Sequence, residues 1–215
     1  VFMGQYNETL QIKKTIKLVG EDKESTIING RFFKNIVEIS SENVSLENFL
    51  IRNSGGFSKD AGIQVNSKNC KIKNCIIYNT KTGIFVNHTE NIEINNNTLQ
   101  NNGEGILIDS SSSCTIIGSC FSNNAIALRF DNSYYCDVFY TYFHTNGIAS
   151  LINNSEEIRI QNCIIKDNSA NLGGIFISAS ENILINNSII NHNGAGFSIY
   201  SSSKINISNC DLCFN

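Results

Sequence analysis

The sequence predicts an all-β fold, a single-stranded parallel β-helix of about 8–9 coils with ~22 residues per coil. The first observation is a fixed repeat, because one apolar position recurs at steps of 26, 22, 22, 22, 22, 25 and 22 residues. The second observation is a set of short runs in which apolar residues alternate with polar ones. The third is a column rich in asparagine that recurs in the same phase. The recurring apolar position is occupied by Leu46, Ile72, Ile94, Ile116, Val138, Ile160, Ile185 and Ile207.

Each repeat contains three short runs in which apolar and polar residues alternate. In one repeat these runs are residues 83–87, 91–94 and 98–99, separated by Asn, Ser, Gly and Asp. Alternation with a period of two indicates strands, and the polar clusters indicate turns. One unit cannot bury its apolar side alone, whereas coils stacked at ~4.8 Å share a core and satisfy their strand hydrogen bonds. The sequence therefore predicts three short strands per coil.

Asparagine recurs two positions after the apolar position. Asparagine tolerates the left-handed backbone conformation of a sharp bend, and its amide can both donate and accept along a stack. We therefore expect an inward-facing asparagine ladder here, with Asn162 stacked under Asn187. Tyr140 is too large for such a bend and should distort it or point outward. The column contains Asn48, Asn74, Asn96, Gly118, Tyr140, Asn162, Asn187 and Asn209.

These repeats resemble the right-handed parallel β-helix superfamily, the pectin-lyase-like fold with its asparagine ladder. The I-x-I-x-N-N-x-I and G-I-x-hydrophobic units are similar to repeats of the NosD and CASH (carbohydrate-binding and sugar-hydrolase) groups. The resemblance covers essentially all 215 residues. It implies the fold much more strongly than the function, because this fold hosts many activities. It also implies that a substrate would lie along the outer face of one sheet.

The continuous repeat predicts a single domain over residues 1–215, in which residues 1–30 form an opening coil. Two coils are longer than the others, with insertions around residues 54–60 and 169–172, and insertions of this kind map to loops. The chain opens with Val1, and its final coil stops at Asn215 before another strand would begin. We therefore expect a piece of a longer β-helix, with further coils of the same protein as its neighbours.

The composition excludes several classes of partner. The net charge is −3 and no basic stripe is present, which argues against nucleic acid. No apolar run reaches membrane-spanning length. His88, His144 and His192 fall at different phases of the repeat, so no metal site is expected from them. These features are compatible with an extracellular or cell-envelope location, which Asn-X-Ser/Thr sequons also permit.

The eight cysteines follow the repeat rather than a disulfide framework. Cys70, Cys114 and Cys136 replace Val or Ile in one inward column, and they are expected to behave as small core hydrophobes. Cys114 and Cys136 lie on adjacent coils, but their side chains should run parallel, which does not suit a disulfide. We therefore predict that both are inward-facing, reduced thiols.

An apolar stripe is predicted on the outer face of one sheet. In residues 83–87, Ile84 and Val86 should face inward, while Phe85 and Asn87 face outward. Exposed apolar stripes mark binding faces, so we expect a polysaccharide or other glycan to bind here. The alternative is that long loops of this chain cover the stripe. The candidate substrate-binding residues are Phe85, Leu107, Leu151, Phe176 and Tyr200.

Asp109 and Asp131 are predicted to lie on adjacent coils of the same face, with Arg129 beside them. Carboxylates roughly 5 Å apart suit retaining glycoside hydrolysis, and more widely spaced pairs suit inversion. Calcium-assisted lyase chemistry would also use acids, although calcium takes roughly six to eight oxygen ligands. The alternative is a solvated pair of turn-starting acids whose repulsion Arg129 offsets. Asp109, Asp131 and Arg129 are thus the candidate catalytic residues.

Two functions remain open at this point. One is an extracellular or cell-envelope domain that binds carbohydrate or serves as a structural spacer, which needs no cofactor. The other is a polysaccharide-active enzyme, namely a lyase, a glycoside hydrolase or an epimerase, of which a lyase could use calcium. A groove with convergent acids and a base on the outer face would distinguish the second from the first.

Overall fold

The computed structural model describes residues 1–215 as an all-β solenoid built from 28 strands. Successive strands take their places in three different sheets, so that each sheet contains every third strand of the chain. In chain order the strands are β1 (Gly4–Tyr6), β2 (Leu10–Ile12), β3 (Lys17–Val19), β4 (Thr26–Phe33), β5 (Val37–Ile39), β6 (Ser45–Glu47), β7 (Leu50–Ser54), β8 (Ala61–Val65), β9 (Lys71–Lys73), β10 (Ile76–Tyr78), β11 (Thr82–Asn87), β12 (Glu93–Asn95), β13 (Thr98–Gln100), β14 (Glu104–Asp109), β15 (Thr115–Ile117), β16 (Cys120–Ser122), β17 (Ile126–Asp131), β18 (Tyr134–Phe139), β19 (Tyr142–His144), β20 (Ile148–Asn153), β21 (Glu156–Gln161), β22 (Ile164–Lys166), β23 (Ile175–Ser178), β24 (Glu181–Asn186), β25 (Ile189–Asn191), β26 (Phe197–Tyr200), β27 (Ser203–Ser208) and β28 (Asp211–Cys213).

The three sheets are parallel throughout. Sheet 1 has ten strands, from β1 to β28, while sheet 2 (β2 to β26) and sheet 3 (β3 to β27) have nine each. The predicted fold class of three strands per coil is therefore confirmed. The number of turns is about ten, slightly more than expected, because residues 1–33 already contribute strands to all three sheets. No helix in the structure has the length and apolar character required to cross a membrane.

One hydrophobic core of 42 buried residues runs along the axis. Ile84 and Val86 are fully buried, as the alternation predicts, and so is the recurring apolar position from Leu46 to Ile185. Phe121 and Phe143 stack in this core, with ring centroids 4.8 Å apart and an interplanar angle of 12°. Successive coils thus place like side chains on top of one another, which makes the core continuous.

The predicted asparagine column forms a bend, but its side chains point outward. Every position of the column has a positive φ, including Gly118 at 60° and Tyr140 at 51°. Side-chain hydrogen bonds link Asn48, Asn74 and Asn96 along the column, but Asn96 and Asn187 are exposed and no such bond joins Asn162 to Asn187. The expectation that this column faces inward is therefore wrong. Tyr140, which is 69% exposed, points outward as expected and leaves the bend intact.

The asparagine ladder itself is present one corner further along the coil. Its side chains are buried except for the terminal Asn215, and the Nδ2 of each donates to the Oδ1 of the next at 2.8–3.1 Å. Each member directly follows a residue with positive φ, so the bend residue points out and the next residue points in. The ladder consists of Asn102, Asn124, Asn146, Asn168, Asn193 and Asn215.

Cys70, Cys114 and Cys136 occupy the inward positions that their phase predicts. Cys114 and Cys136 are 1% and 0% exposed, and all eight cysteines are free thiols in the structure. Burial raises the pKa of Cys75 to about 12 and that of Cys163 to about 11. A hydrogen bond with the Cys136 thiol, together with burial, raises the pKa of Cys114 as well. Cys75, Cys114 and Cys163 are therefore packing groups rather than nucleophiles, because the reactive species is the thiolate.

Candidate functional site

The outer face of sheet 2 contains both predicted columns in the expected register. Strand pairing places Phe85 beside Leu107, Leu107 beside Arg129, and Arg129 beside Leu151. The column continues to Phe176 and Ser198 in one direction and to Gln64, Glu38 and Gln11 in the other. The second column contains Asn87, Asp109, Asp131, Asn153, Ser178 and Tyr200.

The apolar stripe is unequally accessible. Phe85 is only 2% exposed although it lies outside the hydrophobic core, so it is covered on the outer face. Ser58 and Leu107 line the same hollow, which places the 54–60 insertion over this part of the sheet. The expectation that Phe85 is open to a ligand is therefore corrected in favour of coverage. Leu107 is half-buried, and so is Leu151.

An aromatic pair lies further along the same face. The rings of Phe176 and Tyr200 are 5.5 Å apart at an interplanar angle of 36°, and Tyr200 is 55% exposed. They belong to adjacent strands, β23 and β26, whose backbone pairing fixes their spacing. This pair offers the most accessible aromatic surface among the predicted substrate-binding residues.

Arg129 is held between two carboxylates. Its Nη1 lies 3.0 Å from Oε1 of Glu104, and its Nη2 lies 2.6 Å from Oδ2 of Asp131. Burial lowers the pKa of Arg129, but its hydrogen bonds to Asp131 and Glu104 raise it by more, so the net shift is upward. Asn153 adds an Nδ2 donor 3.3 Å from Oδ1 of Asp131. The cluster is therefore a closed set of ion pairs in which Asp131 is already engaged.

Asp109 is not part of this cluster. It accepts a hydrogen bond of 2.9 Å from the hydroxyl of Ser110, and it makes no ion pair with Arg129. Its Cα is the register partner of Asp131, so the two carboxylates are on neighbouring strands, as predicted. The three candidate catalytic residues thus lie together, but only Arg129 and Asp131 contact each other. Their catalytic role stays a prediction.

A hollow of about 370 Å³ opens beside this cluster, between the 54–60 loop and the sheet. Arg129, Asp131 and Glu104 line it together with Lys81 and the half-buried Leu107. The sequence reasoning missed Glu104, because it lies at the start of its strand and 25 residues before Arg129, outside both columns. The spacing of one coil plus three residues is the only sequence signal for this contact.

A second group of polar side chains lies on sheet 1. His144 stacks on Tyr142 with ring centroids 4.5 Å apart, and its Nε2 is 3.7 Å from the Cys120 sulfur. The three histidines still do not converge, in line with their different phases. The structure contains no group of three or more His, Cys, Asp and Glu side chains that could hold a metal ion.

Comparison with known proteins gives the family. A family model described as "Right handed beta helix region" matches residues 13–121 and 66–212. The chain belongs to this right-handed β-helix family. The match does not separate the NosD and CASH groups from other β-helices, so that finer assignment stays a prediction. A search of curated proteins gives no match.

Solved structures from viruses and bacteria share the fold. Tailspike protein 2 from Escherichia coli O157:H7 bacteriophage CAB120 aligns with a TM-score of 0.66 at 14% identity, over 97% of this chain and 38% of its own. ORF18 of Geobacillus virus E2 gives 0.65 at 14% identity, over 98% and 53%. The A-module of mannuronan C-5 epimerase AlgE4 from Azotobacter vinelandii gives 0.51 at 13% identity, over 99% and 86%. The chain thus spans 38% and 53% of the first two proteins, and identities this low show a common fold alone.

Proposed function

We propose that this β-helix is a carbohydrate-binding domain that holds a neutral glycan along the outer face of sheet 2. The observation that carries the proposal is the aromatic pair Phe176 and Tyr200, 5.5 Å apart at the accessible end of an apolar stripe. Aromatic rings bury a large apolar surface, and Tyr adds a hydroxyl for hydrogen bonding. A sugar ring presents an apolar face and polar edges, which match these two features.

The charge of sheet 2 favours a neutral ligand over an acidic one. The strands of sheet 2 carry four carboxylates, on Glu38, Glu104, Asp109 and Asp131, and one cation, on Arg129. A polyuronate would meet an excess of like charge on this face, which opposes association. The mannuronan epimerase named above supports carbohydrate as the class of ligand. The electrostatics of this chain argue for a different, uncharged member of that class.

The arrangement of the acids favours binding over turnover. Asp131 is paired with Arg129 at 2.6 Å and accepts from Asn153, so it is poorly placed to exchange a proton with a substrate. One observation supports the enzyme as a second candidate. Asp109 lies free of any ion pair beside Asp131 on the neighbouring strand, which is the arrangement of a two-carboxylate hydrolase.

The binding test uses calorimetric titration of the protein with cellohexaose, maltohexaose and mannohexaose, and with hexagalacturonate as the acidic comparator. We expect at least one neutral probe to bind, and Phe176→Ala to weaken it roughly tenfold, because a stacking ring is lost. Tyr135→Ala removes a ring that is 62% exposed on sheet 3 and is the matched control, with no expected effect. Glycan affinity that is unchanged in Phe176→Ala would overturn the assigned face.

The catalytic alternative has its own variants. Asp109→Asn and Asp131→Asn keep the shape of the side chains and remove their charge. Under the binding proposal both variants still bind, and the wild type shows no turnover of the four probes. Turnover by the wild type that falls by orders of magnitude in either variant would establish the enzyme instead.

Location outside the cell or in the cell envelope is part of the proposal. Asn43 and Asn206 lie in exposed Asn-X-Ser sequons, which supports an extracellular setting. Fractionation of the source cells, with an antibody against this domain, should recover the protein from the medium, the cell surface or the periplasm. Recovery only with the soluble cytoplasmic markers would refute this part of the proposal.

A further inference from the structure

A second hollow, of about 490 Å³, lies at the other end of the sheet 2 face. Gln11 and Glu38, the first two positions of the outer column, form part of its lining. The C-terminal half of β4 supplies the opposite wall, including Asn29 and Phe33. The hollow is therefore in line with the proposed glycan-binding face, about four strand spacings or ~19 Å from Arg129.

The backbone of this wall is irregular in a way that exposes aromatic rings. In the pairing of β4 with β7 the register shifts between Asn29 and Phe33, so that β4 contains two extra residues. Arg31 and Phe32 have φ values of 52° and 62°, and this is the one place where two successive residues other than glycine have positive φ. Such conformations cost free energy and concentrate at ligand-binding sites.

Three phenylalanine side chains are left in solvent at this irregular end of β4 and on the loop paired with it. Phe32 is 67% exposed, Phe33 is 71% exposed, and Phe57 in the 54–60 insertion is 84% exposed. The two segments are adjacent, because Gly55 donates its backbone N–H to the carbonyl of Phe33 at 2.9 Å. Exposed aromatic rings in such number mark a binding surface, and Phe33 also lines the hollow.

The polar wall of the hollow is held in place by its own hydrogen bonds. Asn29 donates to Oδ1 of Asn7 at 3.2 Å and accepts from Asn53 at 2.9 Å. Asn35 accepts from the backbone N–H of Ala61 at 2.8 Å. These amides are thus oriented before a ligand arrives, which reduces the entropy cost of binding.

The charged groups of the hollow are balanced and unpaired. Glu8 and Glu38 face Arg31 and Lys34, and none of the four takes part in an ion pair. Glu38 has only distant contacts of 3.5 Å with Ser40 and Asn66, so its carboxylate can accept from a ligand hydroxyl. Two acids and two bases have no net attraction for a polyanion. Amide and carboxylate groups do suit a ligand with many hydroxyls, which both donate and accept.

We propose that this hollow is a second glycan subsite, which binds one neutral sugar unit against the ring of Phe33. The inference rests on the proposed function and extends it, because one oligosaccharide of several units that passes over the 54–60 loop would reach from this subsite towards Arg129. Linked contacts of this kind raise the effective concentration of the second contact. A hexasaccharide should therefore bind more tightly than the corresponding disaccharide.

The test is calorimetric titration of the whole chain with cellohexaose, maltohexaose, mannohexaose, their disaccharides and hexagalacturonate. Phe33→Ala should weaken binding of the best neutral hexasaccharide roughly tenfold, whereas Phe33→Tyr keeps the ring and should bind as the wild type does. Phe214→Ala removes a ring that is 81% exposed elsewhere and is the matched control. All three variants should keep the wild-type unfolding midpoint, since each side chain is mainly in solvent.

The outcomes separate this inference from the proposed function. No binding of any neutral probe by the wild type overturns both. Binding that Phe176→Ala weakens and Phe33→Ala leaves unchanged overturns the second subsite alone, and a preference for hexagalacturonate overturns the neutral specificity. Should Phe33→Ala unfold, amide NMR shifts of the wild type decide. Shifts in residues 7–11 and 29–38 on titration support the subsite, and shifts confined to β20, β23 and β26 refute it.

Discussion

Asn146→Asp tests whether the buried asparagine ladder stabilises the solenoid. The side-chain Nδ2 of Asn146 donates to the carbonyl oxygens of Phe121 and His144 at 3.1 and 3.0 Å. It also donates to Oδ1 of Asn168 at 3.1 Å. In the other direction, Asn146 Oδ1 accepts from the backbone N–H and the Nδ2 of Asn124, both at 3.0 Å. The substitution replaces the side-chain NH2 group with an oxygen, so the shape of the side chain is kept and both N–H donors are lost.

The magnitude follows from these contacts. Three hydrogen bonds are lost in a buried site, but Asn168 Oδ1 keeps the backbone N–H of Asn146 as a donor at 3.0 Å. The two carbonyl oxygens each lose a donor, at a cost of about 1–3 kcal/mol each. We therefore expect a loss of about 4 kcal/mol in the free energy of unfolding at pH 7, where the new carboxyl also meets three oxygens. Burial and these oxygens raise the pKa of the new carboxyl in the folded state above its ordinary value of about 3.9. The destabilisation therefore grows as the pH rises above that ordinary value. Near pH 4 the carboxyl is protonated in the folded state and supplies one donor, so the free energy of unfolding falls by only about 2 kcal/mol.

Urea unfolding followed by circular dichroism at pH 7 and pH 4 measures these differences. The matched control is Asn162→Asp, at the outward bend with φ 55°, where aspartate is tolerated and no side-chain hydrogen bond is lost. Its expected effect is below about 0.5 kcal/mol. Equal effects of the two substitutions would refute the assignment of the ladder. A loss in Asn146→Asp that does not depend on pH would refute the account of its cause.

The remaining predictions concern thiols and surface charge. Mass spectrometry of the denatured, unreduced protein after alkylation should find Cys114 and Cys136 both alkylated, and a peptide that links them would contradict the reduced state. In the native protein at pH 8, Cys75 should resist iodoacetamide, because burial raises its pKa to about 12, and reaction as fast as in the unfolded chain would contradict that burial. The pKa of Glu93 is lowered to about 2, chiefly by its hydrogen bond with Lys73. The stability that the Glu93 carboxylate contributes is therefore complete above its ordinary pKa of 4.5 and is lost as the pH falls through about 2. Glu93→Gln should therefore cost about 0.5–1 kcal/mol at pH 7 and almost nothing at pH 2 in urea unfolding, and a difference that stays constant would contradict this.

The fold could be predicted because the core repeats with the chain. Ile94 and its equivalents from Leu46 to Ile185 are fully buried, and stacking forces the same apolar choice at each of these turns. The inward asparagine could not be assigned in this way, because asparagine occurs in adjacent pairs such as Asn96–Asn97 and Asn101–Asn102. The second pair recurs one coil later as Asn123–Asn124, so both of its members share the period. Only the backbone angle separates them, since the residue with positive φ points outward and its neighbour is buried.

The candidate site shows where periodicity stops being informative. The columns of sheet 2 were correct in register because strand pairing repeats, but accessibility depends on segments that occur once. The 54–60 loop covers the outer face near Phe85, and the irregular turn at Arg31 and Phe32 exposes Phe33. Neither segment has an equivalent on another coil, so the period of the repeat cannot predict where its side chains lie. These unique segments therefore decide which parts of the columns a ligand can reach, and the two hollows of this face are found where they meet the sheet.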